Sequence, residues 1–250
     1  MNRDLPREIR RWLCQGRRLV ADRWQGLSGR LVSATDALSD REFPVRLTLE
    51  QPILVTDRVA EKRHNLDLAR RRIDGLVILP GSIFSFWHLV GKPSPKRGFQ
   101  AGRSLLGGEL RPDFGGGLCQ LSGAIYHLSL LAGLRVLERH AHSVDIYADA
   151  MRHTPLGADA TVAYGFKDLR IENTLPTPVC FRLELRPAAL NCALCSPAPI
   201  EPWQVDFVRM AGGIGMAKVE TFRYRESRDA AERIAVSCYA TLRHAPPHRD

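Results

Sequence analysis

The hydrophobic pattern divides the chain into a leading helix, one central helix and a series of short strands. Apolar residues recur at three- and four-residue spacing from Leu121 to Ala132, which predicts a helix stopped by Gly133. Beyond it, β-rich runs predict strands near 134–147, 159–165, 168–172, 178–186, 216–225 and 233–243. One main helix among sequential hairpin-like strands favours an α+β fold with a mostly antiparallel sheet.

The part before the central helix is predicted to be mixed as well. Leu47–Thr56 alternates and contains Pro52, which is typical of an edge strand. A helix is expected over 65–74, a buried strand over 76–79, and a hairpin over 105–111 that turns at Gly107-Gly108.

Residues 1–40 are predicted to form a basic amphipathic helix. The apolar residues fall close to one face, and arginines fill the rest: Ile9, Trp12, Leu13, Leu19, Val20, Trp24, Leu27 and Leu31 against Arg10, Arg11, Arg17, Arg18 and Arg23. We expect the apolar face to pack on the chain's own domain. The alternative is weak, salt-sensitive contact with an anionic membrane surface.

These patterns suggest three parts: a basic helical segment over 1–45, an α+β domain over 46–190, and an extension over 191–250 with two strands packed on the core. Residues 191–202 are rich in Cys and Pro and are interpreted as a break. The Cys192-x-x-Cys195 pair is weak evidence for zinc without a second pair, so a surface turn is the favoured interpretation.

The candidate chemistry begins at Cys119, which stands at the start of the central helix after Gly115, Gly116 and Gly117. A helix N-terminus carries unpaired N–H groups and partial positive charge, and both favour an ionised thiol. On a strand, the downstream His140 and His142 would share one face. A thiol and an imidazole in one domain are a candidate nucleophile and base, although a buried structural cysteine is the ordinary alternative.

Seven ordered blocks resemble the VanW family, which is named for an accessory protein of some glycopeptide-resistance gene clusters in bacteria. They are Pro80–Phe86, Val90-Gly91, Arg97–Phe99, Gly115–Ser122, Glu138–Ser143, Gly157–Gly165 and Asp168–Asn173. The resemblance covers roughly residues 60 to 185, with departures at Ala158 and Gly123, where arginine and serine are expected. Because this family has no settled activity, its chemistry has to be argued from the residues.

Cys119, His142 and Asp159 are our candidate nucleophile, base and orienting acid, with His140 as an alternative base. Their order resembles the transglutaminase-like cysteine enzymes, so a transglutaminase- or papain-like core is one expectation for the fold. Gln120 and the glycine-loop amides are candidate oxyanion donors. Asp159 has an equally good interpretation as a turn residue after Gly157.

A ligand-binding role is expected for the glycine loop (Gly115, Gly116, Gly117), for Ser122, and for Arg97 as a partner of an anionic group. Zinc held by Cys119, His140 and His142 is the rival chemistry. The preferred interpretation involves no metal and no cofactor.

Composition narrows the function classes. The net charge of +9 suggests anionic partners, but no nucleic-acid-binding motif accompanies it, so nucleic acid is not expected. No apolar run is long enough to span a membrane and no secretory signal is evident, so we expect a cytoplasmic protein with reduced cysteines. Oligomeric state is left open.

The function predicted from sequence is thiol-dependent acyl transfer or amide hydrolysis on a small-molecule, peptide or cell-wall-precursor-like substrate. The alternative is a non-catalytic module that binds an anionic ligand.

Overall fold

The computed structural model describes residues 5–33, 43–106, 109–145, 154–211 and 213–241. Its helices are α1 (Arg7–Trp24), α2 (Val59–Arg70), α3 (Phe86–Val90) and α4 (Leu118–Leu131). The strands are β1 (Val45–Pro52), β2 (Val77–Ile78), β3 (Ile83–Ser85), β4 (Ala101–Leu106), β5 (Glu109–Phe114), β6 (Arg135–Glu138), β7 (Val144–Asp145), β8 (Arg170–Glu172), β9 (Val179–Leu185), β10 (Ala189–Cys195), β11 (Gln204–Met210), β12 (Met216–Tyr224) and β13 (Glu232–Thr241).

The sheets are mostly antiparallel, so the predicted α+β class is confirmed. One sheet has the order β1-β10-β9-β2, and β1 stands at its edge as its proline predicts. A second has the order β11-β12-β13-β7, in which β13 and β7 run parallel. A third has the order β3-β8-β6, and β4 with β5 form a hairpin whose turn residues 107–108 lie outside the described residues.

The helix α4 is the core element that positions the site. It is buried on nearly all sides because α2, β1, β10 and β6 pack around it. Ser122 and Ser129 are fully buried, and their hydroxyls donate to carbonyls, which satisfies them without water. The helix ends at Leu131, and Gly133 follows with a φ of 78°, as the pattern predicts.

Two strand predictions were wrong around the histidines. The expected strand over 134–147 is divided into β6 and β7, and residues 139–143 between them form no regular strand; Tyr147 lies outside the described residues. The expected strand over 159–165 is irregular too. Its backbone carbonyls bind side chains instead of a neighbouring strand: Arg139 Nε donates to Asp159 O, and Ser122 Oγ donates to Ala160 O.

The break predicted over 191–202 was also wrong in its first part. Residues 191–195 belong to β10, which pairs with both β1 and β9, so Cys192 and Cys195 are buried strand residues rather than members of a surface turn. Buried β-strands contain short apolar runs without the alternation that marks a half-exposed strand, and Cys192-Ala193-Leu194-Cys195 is such a run. The strand β11 was not predicted at all.

The prediction that the apolar face of α1 packs on the domain was wrong. Its polar side faces the domain: Asp22 is buried and binds Arg170 at 2.7 Å, and Arg18 binds Glu138 at 2.5 Å. Leu13 is half-buried, but the larger part of the apolar side is exposed, with Trp12 74% exposed and Trp24 88% exposed. Ion pairs therefore fasten this helix to the domain, and its apolar face is left open.

Candidate functional site

The glycine loop brings Cys119 to the open end of α4. Gly117 precedes the helix with a φ of 95°, a left-handed conformation that favours glycine. A Cβ on Gly116 would fall 2.2 Å from the backbone of Gly102, so only glycine lets β4 approach this loop. Cys119 follows as the second residue of α4, half-buried, in the first turn where amides lack intrahelical acceptors.

Asn65 locks that loop in place. It is fully buried on α2 and donates its side-chain amide to Gly116 O and Gln100 O, both at 3.0 Å. Its Oδ1 accepts the Gln100 N–H at 2.8 Å. One side chain thus ties α2, the start of β4 and the glycine loop together, which fixes the backbone beside the thiol.

His142 and Asp159 form the second half of the site. Asp159 Oδ2 accepts both the backbone N–H and the ring Nδ1 of His142, each at 2.7 Å. With Nδ1 occupied, Nε2 is the ring nitrogen left for the thiol, and the His142 ring interacts with Cys119 by a side-chain hydrogen bond. The Cys119 Sγ also lies 3.9 Å from Val162 O.

The other carboxylate oxygen of Asp159 is held by two residues that sequence analysis missed. Tyr239 on β13 donates its hydroxyl to Oδ1 at 2.6 Å, and Arg139 binds the same oxygen at 2.9 Å. Arg139 is nearly buried and also donates to the carbonyls of Gly157 and Asp159. Arg139 directly precedes the candidate histidines in sequence, but nothing local marks Tyr239, which lies 80 residues from its partner.

These contacts shift three pKa values. Burial acts against each charge, but the bond to His142 and the Arg139 charge keep the pKa of Asp159 well below its usual value. The bonds from His142 to Asp159 and Cys119 likewise outweigh burial and raise the pKa of His142 to about 10. Burial raises the Cys119 pKa, yet the His142 bond and charge dominate and lower it. Both shifts favour the form of this pair in which a thiolate faces an imidazolium.

The other candidate residues lie apart from this pair. His140 points elsewhere, because its Nε2 lies 3.0 Å from Glu138 Oε1. Gln120, expected at the oxyanion, donates its side-chain N–H to Pro52 O at 2.9 Å. Ser122 is buried and fastens α4 to Ala160 O, and Arg97 contacts its own loop at Lys92 O.

The predicted zinc ligands do not converge. Asp159 holds His142, and Glu138 holds His140, while Cys119 faces His142 alone among them. Within the described ranges, no three His, Cys, Asp or Glu side chains form a group suited to a metal ion.

A group of cationic side chains lies beside the glycine loop, and we call Arg58, Lys62, Arg103 and Arg111 the basic cluster. The Lys62 stem covers Gly117: a Cβ there would fall 2.5 Å from Lys62 Cγ. Lys62 interacts electrostatically with both Cys119 and Arg103, and burial with the Arg103 charge lowers its pKa. A cavity of about 320 Å³ is lined by Asp57, Pro112 and the three arginines of the cluster.

A family model described as "VanW like protein" matches residues 61–195. The chain is 34% identical over 112 residues to "Vancomycin B-type resistance protein VanW" of Enterococcus faecalis (strain ATCC 700802 / V583), covering 45% of this chain and 41% of that protein. It is 32% identical over 121 residues to "Uncharacterized protein YoaR" of Bacillus subtilis (strain 168), covering 48% and 38%.

The chain therefore spans about two fifths of the length of the curated relatives it matches. No solved structure matches the chain, and the transglutaminase- or papain-like core stays a prediction. The matched residues 61–195 include Cys119, His142 and Asp159 but not Tyr239.

Proposed function

Since the chain belongs to the VanW-like protein family, and since that membership leaves the chemistry open, we propose a thiol-dependent acyl-transfer or amide-hydrolysing site at Cys119. The observation that carries the proposal is the hydrogen-bonded series Cys119–His142–Asp159 at the N-terminus of a buried helix. A nucleophile, a base and a residue that orients the base are the minimal set for covalent acyl chemistry.

The steps follow from the resting charges. The Cys119 thiolate attacks the carbonyl carbon, and the S–C bond forms as the C=O π electrons move onto oxygen. The His142 imidazolium then gives its Nε2 proton to the leaving nitrogen as the C–N bond breaks. Neutral His142 next takes a proton from water or an acceptor amine, which attacks the S-acyl group and restores the thiolate.

Each neighbour supports one part of this cycle. Asp159 holds the His142 tautomer through Nδ1, and Arg139 with Tyr239 keep that carboxylate ionised and fixed. The backbone N–H of Gln120 already donates to Gly117 O, so it is not available to an oxyanion. We therefore propose the backbone N–H of Cys119, at the open end of the helix, as the oxyanion donor.

The substrate we propose is a peptide or cell-wall-precursor-like amide. Its support is the name of the Enterococcus relative, which associates that protein with vancomycin resistance. The basic cluster favours a second candidate, non-catalytic binding of an anionic ligand at the same place.

Acylation by p-nitrophenyl acetate, followed by intact-mass analysis and peptide mapping, tests the catalytic proposal. We expect one acetyl group on Cys119, a rate reduced about 100-fold in His142→Asn, and no adduct in Cys119→Ala. Cys238→Ala, at an exposed thiol, is the matched control.

Purified muropeptides analysed by liquid chromatography and mass spectrometry then test the substrate class. Absence of any Cys119 adduct, with retained phosphate binding, would favour the non-catalytic candidate.

A further inference from the structure

The basic cluster forms a charged surface directly beside the reactive thiol. Lys62 connects the two, since its stem lies over Gly117 and its charge acts on both Cys119 and Arg103. Arg103 and Arg111 are exposed on the two paired strands β4 and β5, and Arg58 donates to Ala101 O at the start of β4.

The described ion pairs of Arg58 and Arg103 are long. Asp57 lies 4.0 Å from Arg58 and 3.8 Å from Arg103, and Glu61 lies 3.6 Å from Arg58. Among the described contacts, Arg58 and Arg103 thus meet two carboxylates, and Lys62 adds a third cation beside Arg103. Asp57 is largely exposed, so its pairs are long and weakly held. A net positive field is left at the mouth of the cavity.

We propose that the basic cluster is a subsite for an anionic group, a carboxylate or a phosphate, carried by the substrate next to its scissile carbonyl. This inference rests on the proposed function and specifies, in addition, that the substrate carries a negative charge. Guanidinium groups bind both oxyanions through paired N–H donors. Lys62 is the member of the cluster that interacts with the thiol, so an anion bound by the cluster and the carbonyl attacked by Cys119 can belong to one molecule.

Two alkylating reagents of similar size separate charge recognition from thiol reactivity. Iodoacetate is anionic and iodoacetamide is neutral. At Cys119 we expect the iodoacetate-to-iodoacetamide rate ratio to exceed that of the urea-unfolded chain by about ten-fold, and to fall towards it with added salt. Lys62→Met, which keeps the stem over Gly117, and Arg103→Gln/Arg111→Gln should lower this ratio, which already corrects for any change in the reactivity of the thiol itself.

The matched control is Arg71→Gln/Arg135→Gln, which removes the same two charges from side chains 66% and 65% exposed. An unchanged ratio in the cluster variants, or an equal drop in this control, would overturn the subsite. A low iodoacetamide rate at Cys119 would instead contradict the proposed function.

Calorimetric titration with inorganic phosphate and with acetate, at constant ionic strength, gives a readout that does not depend on the thiol. Binding of phosphate alone assigns a phosphate group, and binding of acetate assigns a carboxylate. Loss of that binding in Arg103→Gln/Arg111→Gln supports the subsite. Absence of binding by both anions contradicts it.

The exposed face of α1 carries an independent inference. Large apolar side chains lie along it at helical spacing: Ile9 (46% exposed), Trp12 (74%), Leu19 (69%), Val20 (60%) and Trp24 (88%). Arg17 and Arg23 are exposed beside them, and Glu8 is the acidic residue of α1 that is exposed. The opposite side is occupied by ion pairs to the domain, so the apolar face has no room to turn inward.

We infer that this face binds an anionic membrane surface, with α1 lying in the interfacial plane. Charge complementarity selects this partner, because arginines flank the apolar residues and the two indoles suit the headgroup region. Among the helices within the described ranges, none is long and apolar enough to cross a bilayer.

Sedimentation with vesicles of phosphatidylglycerol and phosphatidylcholine tests this surface with the full chain. We expect binding that weakens with salt, and partitioning at least about ten-fold weaker in Trp12→Ser/Trp24→Ser. Val55→Ser/Ile214→Ser, which removes two exposed apolar residues outside α1, is the control. Failure of wild type to bind at low salt contradicts the inference. A dimer by light scattering that the Trp variant abolishes would assign the face to a second copy instead.

Discussion

The chain holds thiols in two contrasting places, the end of α4 and the interior of the β1-β10-β9-β2 sheet. At Cys119 the imidazolium of His142 lowers the pKa of the thiol despite burial. At Cys192 burial alone raises the pKa to about 12, and at Cys180 a hydrogen bond with the opposite Cys195 and burial raise it further. The difference shows that a hydrogen-bonded imidazolium can outweigh the burial that raises the pKa of the sheet thiols.

Of all the substitutions considered, replacing His142 should most reduce the difference in reactivity between Cys119 and the sheet thiols. In His142→Asn the thiol loses its hydrogen bond and its counter-charge, so its pKa rises. We expect the iodoacetamide rate at Cys119 at pH 6.5 to fall on the order of 100-fold, towards that of the sheet thiols. Quantitative peptide mapping measures it, and a fall of less than three-fold would contradict the assignment of His142 as the charge partner.

The pH dependence of alkylation should separate the two regions next. Because the pKa of Cys119 is lowered, we expect more of its thiolate to be formed at neutral pH, and its rate should therefore change less than about three-fold between pH 7 and 9. In the urea-unfolded chain the same thiol should gain roughly 20-fold over that range, since an ordinary cysteine has a pKa of about 8.5. A parallel pH profile in the folded and unfolded protein would overturn the lowered pKa.

Asp159→Asn should have a smaller effect on rate and a clear effect on stability. Loss of the carboxylate lowers the His142 pKa, so we expect about ten-fold slower alkylation at neutral pH. It also leaves Arg139 buried without its partner, which should cost about 3 kcal/mol in urea unfolding.

Tyr239→Phe is the companion variant if Asp159→Asn does not fold. It keeps the carboxylate and removes one donor, so we expect about 1 kcal/mol of lost stability and a nearly unchanged alkylation rate. A ten-fold rate loss in Tyr239→Phe would mean that the hydroxyl, and not only the carboxylate charge, controls the thiol.

A change confined to the sheet should have the smallest effect. Cys195→Ala removes one sulfur from the small cluster with Phe43 and Cys180, and should cost about 1 kcal/mol of unfolding free energy. Alkylation at Cys119 should stay as in wild type. A changed Cys119 rate would show that the two regions are coupled through β10.

Sequence reasoning was strongest where local periodicity and turn chemistry decide the outcome. The helix α4 with its glycine stop, the edge position of β1 and the proximity of Cys119 to a histidine belong here. It was weakest where partners come from far along the chain. The Asp159 segment is irregular because the side chains of Arg139 and Ser122 satisfy its backbone, and no spacing rule reveals that.

The packing direction of α1 is a second feature that the sequence pattern did not predict. Periodicity identified its apolar and basic sides, but the direction in which it packs depends on partners such as Glu138 and Arg170, which lie more than a hundred residues away. A buried ion pair outweighed the usual preference for an apolar contact. Sequence pattern predicts that a helix has two faces, and tertiary charge partners decide which one turns inward.

The place of Tyr239 has a consequence for how the protein is made. During translation, Cys119, His142 and Asp159 are added to the chain well before β13. The nascent chain therefore contains its nucleophile and base while the Tyr239 hydroxyl, one donor to the Asp159 carboxylate, is still missing. Contacts of such sequence separation form late in folding. We expect the Asp159 carboxylate to gain this donor only when β13 docks, so the docking of this strand adds stability to the site and changes the reactivity of Cys119 little.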